Sequence, residues 1–240
     1  MLAAHADDEA VGCMGWLHAC TAPIAVAFLT DGAPEAAYRP VQYRDRAAYR
    51  RMRRREARAV WSGFRPQARL CFSDIPDQLL AFQLPRAAAW LEKIVAAVQP
   101  ELILAPAFEG GHMDHDAANL LAARVKRPRL QIWEYALYTC DHGGFAPQCF
   151  PGAPRWSQTL TPAAARAKRA ALDLYVSQAE TLRAFRSDRE AIRPLGHHDY
   201  ARPPLDGPCL YEMLGWPWPS GAIATKFQSF LTEAGNACAC

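Results

Sequence analysis

The chain has 240 residues, of which 51% are hydrophobic and 21% charged, and its formal net charge is +3. This length and composition predict one domain over residues 1–240 with a buried core, and they exclude a small peptide scaffold and a wholly disordered chain. The small positive surplus is too weak for a nucleic-acid footprint, so we expect no nucleic-acid partner. No apolar run approaches the roughly 18 to 20 residues that span a bilayer, and the start turns acidic where a signal peptide turns hydrophobic. We therefore expect a cytoplasmic protein.

The eight cysteines occur singly along the chain, without the C-x-x-C pairs of a structural zinc module. This spacing predicts mostly reduced core residues. The terminal pair, Cys238 and Cys240, is interpreted as part of a frayed tail.

Five short apolar runs predict buried strands, at residues 2–4, 23–30, 69–73, 102–106 and, less regularly, 130–135. Segments with apolar residues three or four apart fall between them and predict helices at 10–19, 43–61, 86–98 and 115–125. Such alternation is typical of the α/β class, here a Rossmann-like, doubly wound, mostly parallel sheet with helices on both faces. Ligands of such sheets bind where the direction of winding reverses, between the first strand and the fourth.

The two ends of the chain are less regular. Only Met1 to Ala4 precede His5, although a strand usually has about five or six residues. The first strand is therefore either truncated, or the recorded start is internal. The core is expected to cover about residues 1–185, including a helix that Thr161 caps, and residues 186–240 are expected to form an irregular extension packed on it.

An acidic cluster with a histidine stands where the first strand must end: His5-Ala6-Asp7-Asp8-Glu9. Adjacent carboxylates beside an imidazole repel each other unless a cation or a proton lies among them. His5 and Asp8 can converge on one metal ion through a tight turn, which leaves Asp7 free to act on a water molecule. A helix-capping cluster is the alternative, because acidic residues also favour a helix N-terminus.

A second cluster, Glu109 to Asp116, directly follows the fourth strand. In the doubly wound order this strand lies beside the first, so His115 can reach an ion held by His5 and Asp8. Two imidazoles, one carboxylate and an open position for water are the arrangement of a catalytic zinc site.

These clusters, with the motifs between and after them, resemble the LmbE-like, or PIG-L, deacetylases, which remove an N-acetyl group from glucosamine-containing substrates. The family's A-H-P-D-D-E and H-P-D-H motifs appear here as residues 4–9 and 112–115, each with its proline replaced. Thr30-Asp31-Gly32, Arg53-x-x-Glu56 and the segment 168–178 resemble three further family features. The resemblance covers about residues 3–185.

The resemblance implies a role for each matching position. The expected zinc ligands are His5, Asp8 and His115, and the expected general base is Asp7. His112 is expected to be the oxyanion and leaving-group partner, and Asp114 to orient His112 and keep it protonated. Arg53 is the expected substrate-side arginine. Other divalent transition metals also suit these ligands. The implied substrate is an amino sugar or glycoconjugate of small-molecule size, with zinc-bound water as the nucleophile.

Several alternatives remain open at this stage. The chain is also compatible with a hydrolase of another amide, such as a thiol conjugate or N-acyl compound, and with an inactive protein that holds a metal. Arg53 and its neighbouring arginines form either a solvated helix face or a rim that grips an anionic group. Residues 197–200 are interpreted as a loop, and the loops 140–157 and 194–219 are expected to define the aglycone. The sequence leaves association into a homo-oligomer open.

Overall fold

The fold is that of a computed structural model, which describes residues 1–125, 127–152 and 157–237. Cys238 and Cys240 lie outside the described residues. The strands are β1 (Leu2–Ala3), β2 (Ala25–Phe28), β3 (Arg69–Phe72), β4 (Leu102–Pro106), β5 (Gln131–Tyr135), β6 (Tyr138–Asp141), β7 (Gly144–Pro147), β8 (Ser157–Thr159) and β9 (Arg189–Pro194). The helices are α1 (Asp8–Gly12), α2 (Met14–Ala19), α3 (Arg46–Phe64), α4 (Leu84–Val98), α5 (Met113–Arg124), α6 (Pro162–Leu174), α7 (Ala179–Leu182), α8 (Leu210–Met213) and α9 (Ser220–Ala237), with 3₁₀ turns at Leu80–Phe82 and Val176–Gln178. None of the helices within the described ranges is long and apolar enough to cross a membrane.

The predicted α/β fold is confirmed. Strands β1, β2 and β3 pair in parallel, as do β4 and β5, and β1 packs beside β4. The hydrogen-bonded sheets β3-β2-β1 and β4-β5-β9-β8 adjoin where β1 packs beside β4, so the spatial order is β3-β2-β1-β4-β5 with the reversal between the first and fourth strands. Strand β9 then pairs with β5 and with β8 in antiparallel register, so the sheet is mostly parallel with an antiparallel edge.

Hydrophobic cores lie on both faces of the sheet because successive side chains of a strand point in opposite directions. Val26, Phe28 and Leu104 pack into one core with helices α1, α2, α3 and α6. Ala27 and Ile103 pack into the other with α4, α5 and α9. Apolar residues on both faces explain why the central strands appear as continuous apolar runs in the sequence.

The helix predicted at residues 10–19 is broken at Cys13 into α1 and α2. Glu190, on β9, accepts hydrogen bonds from the backbone N–H groups of Gly15 (2.7 Å) and Trp16 (2.9 Å). A carboxylate at these unpaired donors stabilises a new helix N-terminus. The long-range contact that divides the helix cannot be recognised from local periodicity.

The described part of the C-terminal segment, residues 186–237, is more regular than the irregular extension that we expected over 186–240. Within them β9 joins the main sheet, and α9 packs on α5 through Ile223, Phe227 and Phe230, which are buried. These three residues recur three or four apart, as the buried face of a helix requires. The predicted loop 140–157 also contains most of the β6–β7 hairpin.

Candidate active site

The turn after β1 separates the two adjacent aspartates. The backbone N–H of His5 donates to Asp8 Oδ2 (2.8 Å), and Asp7 adopts a positive φ of 146°. This conformation is rare for a residue with a side chain, and such strain clusters at functional sites. Asp8 consequently lies against His115, whereas Asp7 lies against Arg53.

His5, Asp8 and His115 converge at the carboxyl ends of β1 and β4. Asp8 Oδ1 lies 3.3 Å from His115 Nε2 and 3.7 Å from His5 Nδ1. Ligand atoms at about 2.0 to 2.2 Å from a tetrahedral zinc ion are roughly 3.4 Å apart. Although burial raises the pKa of Asp8, the neighbouring His115 and His5 lower it overall, so this carboxylate is ionised and able to bind a cation.

Two further observations fit a metal ion at this place. His115 is fully buried, yet neither of its ring nitrogens has a hydrogen-bond partner among the described residues. Buried polar atoms are normally hydrogen-bonded, and a histidine ring nitrogen is a common metal ligand. His112 lies close by, because ring nitrogens of His5, His112 and His115 are within 4.8 Å of one another. The group of histidines and aspartates can therefore hold a metal ion.

The contacts of Asp114 correct its predicted role. Its carboxylate accepts hydrogen bonds from the backbone N–H groups of Gln78 (2.6 Å) and Leu80 (3.0 Å), and its Oδ2 lies 3.3 Å from His5 Nε2. Asp114 contacts His112 through its backbone N–H instead, which donates to His112 Nδ1 (3.0 Å). The His112 ring caps the N-terminus of α5, and the Asp114 carboxylate lies instead against the start of the 3₁₀ turn and against His5.

Sequence reasoning missed Asp77. Its Oδ1 lies 3.1 Å from His5 Nε2 and 3.7 Å from His112 Nε2. Burial raises the pKa of Asp77, but His5 and its hydrogen bond outweigh this and lower the pKa to about 2. Asp77 follows the carboxyl end of β3, the third parallel strand at this edge of the sheet, and that position is the feature from which it could have been recognised.

Arg53 and Asp7 form a buried ion pair. Arg53 Nη2 lies 3.2 Å from Asp7 Oδ2, and the arginine side chain is only 3% exposed. Burial raises the pKa of Asp7 to about 6, although Arg53 opposes this shift. Arg53 also lies 3.8 Å from Glu56, one turn further along α3. The arginine predicted to contact the substrate therefore has protein partners, while it still lines the cavity described below.

The segment 168–178 contacts both the acidic turn after β1 and helix α3. Glu9 accepts hydrogen bonds from the hydroxyl of Tyr175 and from Trp61 Nε1 (3.3 Å), and burial raises its pKa to about 7. Ser177 donates from both its backbone N–H and its hydroxyl to Glu56. The segment 168–178 thus holds the turn and helix α3 in place.

A cavity of about 510 Å³ opens above these groups. His5, Asp7, Asp8, Arg53, Asp77 and His112 line its floor, and further lining comes from the β6–β7 hairpin, residues 178–185 and residues 210–216. The loop containing His198 is not part of this lining, because His198 pairs with Glu134 (2.9 Å) elsewhere. The cavity brings the Asp7 carboxylate, residues of the metal-binding group and the His112 imidazole to one open space.

The family profile of the PIG-L proteins, described as GlcNAc-PI de-N-acetylase, matches residues 1–126, which include both predicted metal clusters. This chain belongs to the PIG-L family. No protein with a curated description matches the PIG-L chain at a significant level.

Solved structures share the fold of this PIG-L protein at low sequence identity. The A40926 pseudoaglycone deacetylase Dbv21 matches with a TM-score of 0.59 and 15% identity over 82% of this chain and 97% of its own. A deacetylase of the teicoplanin biosynthesis pathway matches at 0.58 and 19% identity over 75% of this chain and 84% of its own. GalB, the 4-carboxy-2-hydroxymuconate hydratase from Pseudomonas putida KT2440, matches at 0.54 and 17% identity over 82% and 95%. Because a hydratase has the same fold, the fold alone does not decide the reaction.

Proposed function

We propose that this PIG-L protein is a zinc-dependent N-deacetylase of an amino sugar of the N-acetylglucosamine type, whether free or in a glycoconjugate. The observation that carries the proposal is the divergence of two adjacent carboxylates that line one cavity, Asp8 toward His115 and the metal group and Asp7 toward Arg53. Family membership supports deacetylation, and the names of two structural neighbours agree with it.

His5, Asp8 and His115 would hold the zinc ion. When bound, zinc supplies a Lewis acid that polarises the acetyl carbonyl and makes water more acidic. His115 suits this set, because its ring is buried, its Nε2 lies 3.3 Å from Asp8 Oδ1, and neither ring nitrogen makes a hydrogen bond to a described residue. Asp114 supports the set by fixing the orientation of His5, as carboxylates commonly do for histidine ligands.

Asp7 is the general base of the proposed reaction. Its carboxylate lines the cavity beside the metal group and takes a proton from the attacking water. Arg53 holds this carboxylate in place and favours its ionised form. The positive φ at Asp7 keeps it out of the ligand set, although Asp8 is its immediate neighbour.

His112 donates a hydrogen bond into the cavity. Its Nδ1 accepts the N–H of Asp114, so the proton of the neutral ring is on Nε2, which faces Asp77 at 3.7 Å. Burial, with the neighbouring His5 and His115, lowers the pKa of His112 well below its ordinary value. His112 therefore acts as a neutral donor to the developing oxyanion, rather than as the protonated ring that the sequence implied.

The experiment is an assay of the zinc-loaded protein with N-acetylglucosamine and its glycosides, in which acetate and free amine are measured together. Equal amounts of both products, lost on chelation and restored by zinc, are the expected result. Hydration of an unsaturated acid without acetate release would instead indicate a reaction like that of the hydratase. An N-acetylated thiol conjugate is tested in the same assay, because its preferential cleavage would indicate a hydrolase of another amide rather than of an amino sugar.

A further inference from the structure

The cavity has a second wall whose chemistry differs from that of its floor. The neighbouring rings of Tyr138, Phe145 and Phe185 belong to it, and Leu214 is a further apolar residue of the cavity lining. Apart from the Tyr138 hydroxyl, these side chains offer no hydrogen-bonding group. The charged side chains of the lining, among them Arg53, come from other elements of the fold.

The aromatic wall begins at the metal-binding group and extends outward. The ring of Tyr138 lies 5.2 Å from that of His115, in an edge-to-face arrangement. The rings of Phe145 and Phe185 lie 5.6 Å and 5.9 Å from that of Tyr138, and 5.9 Å from each other. The three rings thus form one continuous apolar surface beside the place where an acetamide carbonyl must bind.

The outer members of this wall remain open to solvent. Phe145, at the β6–β7 hairpin, is 45% exposed, and Leu214, just after α8, is 61% exposed. Single exposed apolar residues are common on protein surfaces. Here, however, two of them line the same cavity as the metal group, and apolar surface at a binding cleft favours an apolar ligand.

The size of the cavity also favours a substrate larger than a single sugar. Its volume of about 510 Å³ is in the range of roughly 300 to 1,000 Å³ that accepts drug-sized ligands. A monosaccharide is smaller than these ligands. With its N-acetyl group at the metal, such a sugar would leave the space beside Phe145 and Leu214 for the group attached to it.

Resting on the proposed function, we propose that the substrate is an N-acetylated amino sugar linked to an apolar aglycone, an aromatic or alkyl group that lies against Phe145, Phe185 and Leu214. The aglycone covers the exposed faces of Phe145 and Leu214 in the complex. Binding energy from this remote group then contributes to deacetylation at the metal.

The test compares kcat/KM of the zinc-loaded full chain for the methyl, octyl and phenyl β-glycosides of N-acetylglucosamine. We expect the octyl or the phenyl glycoside to exceed the methyl glycoside by about tenfold or more. In Phe145→Ser and Leu214→Ser this ratio should fall toward one. Leu174→Ser is the matched control, since Leu174 is 43% exposed but lies outside the cavity lining, and it should keep the ratio of the wild type.

The possible outcomes separate this inference from the proposed function. Deacetylation of all three glycosides at the same rate would overturn the apolar-aglycone proposal and leave the deacetylase intact. A fall in kcat/KM of Phe145→Ser that is equal for the methyl and octyl glycosides would also overturn the apolar-aglycone proposal, because Phe145 would then contact the sugar ring. Absence of acetate release from every N-acetylated substrate would overturn both.

Discussion

Arg53 Nη2 lies 3.2 Å from Asp7 Oδ2, and both side chains line the candidate cavity. The pair joins the acidic turn after β1 to the arginine-rich helix α3. It explains why one arginine of that cluster is 3% exposed, while Arg51 on the same helix is 62% exposed. The cluster is therefore neither a uniform solvated face nor a uniform anion-binding rim.

Replacement of Arg53 tests what this pair contributes. We expect Arg53→Gln to lower kcat by about tenfold or more with little change in KM, because Asp7 loses the cation that orients its carboxylate. Arg53→Lys should retain part of the rate through its charge. Steady-state kinetics with an N-acetylated glycoside measure both parameters. A raised KM with an unchanged kcat would instead assign Arg53 the substrate contact that the family resemblance implies.

Removal of His115 should remove the metal. His115→Ala leaves His5 and Asp8 as a two-residue remnant of the proposed set, and catalytic zinc requires a third protein ligand. We expect about one zinc per chain in the wild type and a large loss in this variant, by elemental analysis of the purified proteins. His198→Ala is the control, since His198 pairs with Glu134 outside the cavity. Full zinc occupancy in His115→Ala would contradict the ligand assignment.

The Glu134 cluster should give stability that depends on pH. Its carboxylate accepts hydrogen bonds from Arg193 Nε (2.6 Å) and lies 2.9 Å from His198 Nε2. Although burial raises the pKa of Glu134, His198 and Arg193 lower it overall, below the ordinary value of about 4.5. A lowered folded-state pKa stabilises the protein above the unfolded-state pKa, and this contribution is lost as the pH falls through the folded-state value.

We therefore expect Glu134→Gln to reduce the free energy of unfolding by about 2 kcal/mol at neutral pH, and by progressively less below about pH 4.5. Urea denaturation across this range gives the measurement. The exposed Glu180→Gln should behave as the wild type does. A loss of the same size at every pH would show that charge at Glu134 does not matter.

Helix α9 should be part of the cooperative fold. Phe227 is 1% exposed and belongs to the same core as Leu120 and Leu121 of α5. We expect Phe227→Ala to lower the free energy of unfolding by about 3 to 5 kcal/mol, as large-to-small changes in a core do. The neighbouring Lys226→Ala, at an exposed position, should have almost no effect. Loss of less than about 1 kcal/mol in Phe227→Ala would make α9 a loosely attached extension.

The central sheet could be predicted from the sequence because its strands are buried on both faces. Val26 and Ala27, for example, are neighbours in one apolar run and enter different cores. The topology then placed His5 and His115 at the same sheet edge. Helix α9 could also have been predicted from the sequence, since Ile223 and Phe227 have helical spacing, but the proline-rich segment before it obscured the pattern.

Other features depend on contacts that local sequence does not encode. Glu190 divides the predicted first helix from a distance of 175 residues along the chain. The carboxylate of Asp114 could face His112 or His5, and the choice is made by the N–H groups of Gln78 and Leu80. Asp77 has no histidine or acidic motif around it in the sequence, and only its place after β3, which pairs with β2, connects it with the site.

The different roles of Asp7 and Asp8 are the central claim, and one paired measurement tests it most directly. Zinc content and acetate release are measured together for Asp7→Asn and Asp8→Asn. We expect Asp7→Asn to keep its zinc while turnover falls by about 10²- to 10⁴-fold, as loss of a positioned general base does. Asp8→Asn should lose zinc itself, because its carboxylate faces His115. Loss of zinc in Asp7→Asn with full retention in Asp8→Asn would exchange the two roles, and unchanged activity in both variants would contradict the account.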